Sequence, residues 1–105
     1  MTLVELKQLL EATGLPVAYS HFTKVMNPPF ITYLTTNTTN FVADNKVYHK
    51  VSAADIELYT KNKDQATESK LENVLDEAEI PYEVTSEIYI ESENVRQRTY
   101  EINLL

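Results

Sequence analysis

Ala54-Asp55-Ile56-Glu57-Leu58-Tyr59 is the stretch that decides the fold class. Ala54, Ile56 and Leu58 alternate with Asp55, Glu57 and Tyr59. Successive side chains of a strand point to opposite faces, so this period of two puts one face in a core and the other in water. The same rhythm returns downstream. Tyr82, Val84, Ser86, Ile88 and Ile90 alternate with Glu83, Thr85, Glu87, Tyr89 and Glu91. A turn at Ser92-Glu93-Asn94 then leads into a last strand, Val95 to Leu104.

Between these strands, Lys61-Asn62-Lys63-Asp64 reads as a loop, with Asp64 or a nearby Thr capping a second helix. Leu71, Val74, Leu75 and Ala78 form that helix's apolar stripe, and Pro81 ends it. Upstream, a tight hairpin is expected around Asp44-Asn45, flanked by Phe41-Val42 and Val47-Tyr48, because Asp and Asn tolerate the left-handed conformation of such turns. The run Thr35 to Asn40 is Thr-Thr-Asn-Thr-Thr-Asn and reads as a polar loop. Phe30 to Thr35 is a strand with apolar residues on both faces, as a central strand has. Thr23 to Pro29 is a loop whose prolines stop any ladder, and Val17 to Phe22 is a further strand. Thr2-Leu3-Val4-Glu5 has the form of a capping box opening a helix from Leu3 to Thr13. Gly14, the only glycine, suits the left-handed residue that follows a helix.

The expected order is therefore α-β-β-β-β-α-β-β. Strands run in groups rather than alternating with helices, which gives an α+β class: a mostly antiparallel sheet with both helices on one face. The 105 residues suit one domain spanning 1–105.

Composition excludes more than it selects. There is no cysteine, so disulfides, zinc–thiolate sites, iron–sulfur clusters and thiol nucleophiles are ruled out. No apolar run approaches the roughly 18 residues of a membrane helix. Met1 to Glu5 lack the basic-then-apolar pattern of a secretion signal, so cytoplasmic synthesis and no membrane partner are expected. A single glycine leaves no phosphate-cradling loop or dinucleotide fingerprint. His21 and His49 each lack an acidic neighbour at metal-ligand spacing, and Asp76 with Glu79 reads as helix surface. Ser20 beside His21 is sequence adjacency, which in a strand points the two side chains apart. The expectation is a protein that is not an enzyme and holds no cofactor or metal.

The net charge of −7 argues against duplex DNA binding. From Asp76 onward, eight acidic residues face only Arg96 and Arg98, which suits a solvated acidic face. The seven tyrosines fit a β-sheet or a protein interface better than base stacking, because Tyr59 and Tyr89 lie among acids. With a three-residue turn at Ser92–Asn94, Ile90 pairs with Arg96, Ile88 with Arg98 and Val84 with Ile102. Ile88, Ile90, Arg96 and Arg98 would then share the core-side face near a hairpin tip. Apolar residues with arginine are the composition of interface hot spots, so these four are the candidate protein-interface residues.

Asp44-Asn45-Lys46-Val47-Tyr48-His49-Lys50, followed by Ile56-Glu57-Leu58-Tyr59-Thr60, resembles the core of a phage protein family. Lys63-Asp64, Glu68, Leu71, Glu72, Leu75, Pro81-Tyr82 and Tyr89-Ile90-Glu91-Ser92-Glu93 extend the likeness over nearly the whole chain. The pattern is similar to the small tail-terminator (tail-completion, head–tail joining) proteins of long-tailed phages and prophages of Gram-positive bacteria. The resemblance implies a hexameric ring on the end of the tail tube that stops tube growth and meets the head connector or head-completion protein. It implies no cofactor and no catalytic residue. DNA would pass through such a ring without specific binding. The protein would reside in the host cytoplasm during assembly and then in the virion. Another head-completion or tail component, or a generic α+β binding module, are the alternative readings.

Overall fold

The computed structural model describes the backbone of residues 1–43 and 46–104 and the side chains of residues 1–36 and 53–104. Its elements are α1 (Leu3–Glu11), β1 (Val17–Tyr19), β2 (Phe30–Ala43), β3 (Lys46–Thr60), α2 (Gln65–Glu77), β4 (Tyr82–Ile90) and β5 (Val95–Leu104). The strands form one five-stranded sheet in the order β1-β2-β3-β5-β4. Only β1–β2 is parallel; the β2–β3, β3–β5 and β4–β5 ladders are antiparallel. The class is α+β.

Local signals set both helices. The Thr2 side chain accepts from the Glu5 amide at 3.1 Å, and the Glu5 carboxylate accepts from the Thr2 amide at 3.1 Å. Asp64 caps α2 by accepting from the Thr67 amide at 3.1 Å and the Thr67 hydroxyl at 2.7 Å. The end of α2 owes nothing to glycine. Glu79 takes φ 58°, the Glu79 amide reaches the Asp76 carbonyl at 3.0 Å, and the Ile80 amide reaches Leu75 at 2.9 Å. That paired closure is a Schellman motif, and it delivers Ile80 to the core. After α1, Gly14 adopts φ +84° as expected.

Spacing of four along each helix aligns Leu6 with Leu10 and Leu71 with Leu75 on single faces. These four are fully buried against Ile31, Tyr33, Ala54, Ile56, Leu58, Tyr100 and Ile102. The register places those strand residues on one sheet face, with Ile31 opposite Leu58, Tyr33 opposite Ile56, and Ile56 opposite Tyr100. Both helices therefore cover the same face. The alternation at Ala54, Ile56 and Leu58 holds: all three are wholly buried, while Asp55, Glu57 and Tyr59 are half-buried on the other face.

Three strands precede α2 rather than four. Thr35 to Asn40 continues β2 instead of forming a loop, since its β-branched threonines suit an extended chain. β1 ends at Tyr19, short of Phe22, because Ser20 takes φ 66° and the His21 amide turns back to the Tyr19 carbonyl at 2.7 Å. α1 ends at Glu11, where the Thr13 hydroxyl caps the Leu10 carbonyl at 2.7 Å. The expected Asp44-Asn45 turn lies outside the described residues, though the ladder reaches Ala43–Lys46 on either side of it.

The β2–β3 ladder outruns the rest of the sheet. β1 accompanies β2 only from Ile31 to Tyr33, and β5 accompanies β3 only as far as Ser52, opposite Leu104. Beyond those points β2 and β3 continue as a two-stranded arm, and the molecule measures 51 × 29 × 23 Å.

Candidate protein interface

The β4–β5 hairpin carries the four residues singled out by the sequence, and its register differs from the expected one. The turn spans Glu91 to Asn94, and Ile90 pairs with Val95. Asn94 adopts φ 54° and its amide bonds the Glu91 carbonyl at 3.3 Å, which adds a residue to the turn. Arg96 therefore faces Tyr89, and Arg98 faces Glu87. Ile88 and Ile90 lie on the sheet face opposite to Arg96 and Arg98, so the expected four-residue patch does not form. A bulge between Val84 and Ser86 then resets the phase, and Val84 pairs with Tyr100 instead of Ile102.

Arg96 and Arg98 do lie on the helix side, but Arg98 is engaged. It donates to the Tyr100 hydroxyl at 2.8 Å and to Glu87 at 2.9 Å, and it lies 3.6 Å from both Glu68 and Glu72. The Tyr100 hydroxyl donates onward to Glu72 at 2.7 Å, and Lys63 bridges Glu68 and Glu87 at 2.9 Å each. Arg96 reaches Glu87 at 4.0 Å. Three acids thus meet three bases at the seam between α2 and the hairpin. The hydrogen bond from Lys63, then that from Arg98, holds the Glu87 carboxyl below its usual range. Burial, then the bond to Glu72, pushes the Tyr100 hydroxyl up. Burial acts against the Arg98 charge, but its bonds to Tyr100 and Glu87 outweigh it and raise its pKa. This cluster fastens α2 to β4 and β5. The sequence places Glu68 and Glu72 four apart on one helix face, but only the fold brings that face to Arg98.

Among its exposed acids, β4 also leaves large apolar side chains uncovered. Val84, Ile88 and Tyr89 of β4 are 41%, 48% and 48% exposed. The pairing puts Val84 and Tyr89 on the helix side and Ile88 on the other. β4 is the last strand of the sheet, so its outer backbone edge has no ladder among the described residues.

The helix-free face has its own cluster. Glu57 accepts from the Thr32 hydroxyl at 3.0 Å and from the Gln97 amide group at 2.7 Å, and Gln97 also donates to the Tyr59 hydroxyl at 2.8 Å. Burial pushes the Glu57 carboxyl up. Phe30 stacks on Tyr59 at 4.6 Å and meets Phe22 edge-on at 5.4 Å. The loop from Ser20 to Pro28 folds over this end of the face and encloses an open cavity of about 530 Å³ with Thr32, Tyr59, Glu93 and Val95.

Chemistry is sparse. Ser20 and His21 come together, Oγ to Nδ1 at 3.3 Å, because the positive φ of Ser20 overrides the alternation of a strand. The pair is exposed, and among the described residues no acid orients the imidazole. The side chain of His49 lies outside the described residues. Among those described, no group of three His, Asp or Glu is placed to hold a metal, and no helix is long and apolar enough to cross a membrane. The sequence matches no protein-family model and no curated protein.

Proposed function

We propose that this protein is a ring-forming assembly subunit that caps the tail tube of a long-tailed phage, halts tube growth and joins tail to head. The observation that carries the assembly half of this reading is the β2–β3 arm. An isolated two-stranded ribbon is marginal in water, and three strands or a packed helix are needed for independent stability. The arm runs past both neighbouring strands, so a neighbouring subunit is its natural support. The outer edge of β4, where Val84, Ile88 and Tyr89 are exposed among acids, is a second, different surface. Two unlike patches on each subunit are what a head-to-tail ring uses.

The phage half rests on the resemblance of residues 44–60 and 63–93 to tail terminators. Partners on this reading are further copies of the chain, the tail-tube protein and the head connector or head-completion protein. With a net charge of −7, such a ring would repel DNA and let it slide. A generic binding module is the second reading, and the cavity beneath the Ser20–Pro28 loop favours it. Electron microscopy of tail tubes polymerised with and without the protein tests the first reading. Capped tubes of limited length support it; uncapped tubes of unchanged length refute it.

A further inference from the structure

We propose that the outer edge of β4 on one copy pairs with the distal edge of β3 on a second copy, so that the sheet continues from subunit to subunit. The inference deepens the assembly reading and rests on it.

Each edge lacks a strand where the other can supply one. β4 ends the sheet order. β5 stops opposite Ser52, so Lys46 to Val51 of β3 run on with no strand on that side among the described residues. Open edges offer rows of unpaired amides and carbonyls, and main-chain pairing across such edges is a recurrent mode of protein association. Exposed Val84, Ile88 and Tyr89 on both faces of β4 add apolar surface that an incoming strand would cover.

Charge decides which edge meets which. β4 and its turn carry exposed Glu83, Glu91 and Glu93, besides the ion-paired Glu87, and no basic residue. The distal stretch of β3 carries Lys46 and Lys50 and no acid. Two β4 edges repel each other, and so do two distal β3 edges; only the unlike pair attracts. Like-charge repulsion of this kind selects a partner by penalising the wrong ones. It removes pairing of either edge with its own kind; both open edges face the same side of the sheet, so a copy that pairs through them is turned about half a turn and can return the reciprocal β3–β4 contact. The distal stretch of β2, Asn37 to Ala43, has no charged residue and does not discriminate in this way.

Two charge reversals test the pairing. One variant carries Lys46→Glu and Lys50→Glu; the other carries Glu83→Lys and Glu91→Lys, which leaves Glu87 and its ion cluster intact. Sedimentation velocity over a concentration series reads self-association, and electron microscopy reads caps on tube ends. Each variant alone is expected to lose roughly a hundredfold in association, since like charges juxtaposed across an interface cost several kcal/mol. An equimolar mixture of the two restores association, because every interface then joins unlike charges, and so does one chain carrying all four substitutions. That restoration separates a lost interface from a misfolded variant. Variants that associate and cap tubes as wild type does overturn the pairing and leave the assembly reading standing. A mixture of folded variants that stays apart overturns it too, as does a wild type that is monomeric both in solution and on tubes. Wild-type self-association that ignores tubes overturns the tail reading and leaves the pairing intact.

Discussion

Replacing Arg98 with Met removes the cation around which Glu68, Glu72 and Glu87 are gathered, and keeps most of the side-chain volume. An exposed ion pair is worth about 0–1 kcal/mol, whereas breaking a buried one costs about 3–5 kcal/mol. Arg98 lies between those limits: its side chain is 23% exposed, against 10% for Glu68, 27% for Glu72 and 28% for Glu87. The expected loss is about 2 kcal/mol. With an unfolding entropy of about 2.1 cal/mol/K per residue, that lowers Tm by about 9 °C for a chain of this size. The penalty should also depend on pH. Its ion pairs hold Glu87 below the ordinary glutamate range, so its stabilisation is present above that range and lost as pH falls through the depressed folded value. Thermal and urea unfolding at neutral pH and below pH about 4 would read both effects. A loss under about 0.5 kcal/mol at neutral pH, or a penalty that does not shrink in acid, would refute this view of the cluster.

Three further outcomes follow from local geometry. Thr2→Ala breaks the capping box of α1 and should cost about 1 kcal/mol by urea unfolding; an unchanged midpoint contradicts it. Glu79→Gly places glycine at the left-handed residue closing α2 and should raise stability by about 0.5 kcal/mol, so a fall in Tm would show that the Glu79 side chain contributes. Glu57 has a folded pKa raised by burial, so its ionisation costs stability as pH rises through that value. Glu57→Gln should therefore gain on wild type between about pH 4 and pH 7, and a flat difference across that range would contradict the burial argument.

The sequence disclosed what is local and periodic. Thr2 with Glu5, Asp64, and the alternation at Ala54–Tyr59 each depend on neighbours within a few residues, and each stands as read. It hid features that hang on a single unmarked residue. Ser20, Glu79 and Asn94 all take positive φ without being glycine. Asn94 lengthens the hairpin turn by one residue, and a one-residue slip moves a whole strand face to the other side. That slip is why Ile88 and Ile90 part from Arg96 and Arg98. The Thr35–Asn40 stretch misled for another reason: polarity suggests a loop, but threonine is a good strand former. The partners of Arg98 needed tertiary knowledge, since Glu68 and Glu72 come from a helix that only the fold brings to the hairpin.

The central claim is that this chain acts by assembling with copies of itself on a tube end. Mass photometry of the purified protein, alone and with pre-formed tail tubes, tests it most directly. The account predicts six copies per tube end, drawn from a free monomer or a free hexamer, and tubes that no longer elongate. A monomer that leaves the tubes uncapped and growing would contradict it.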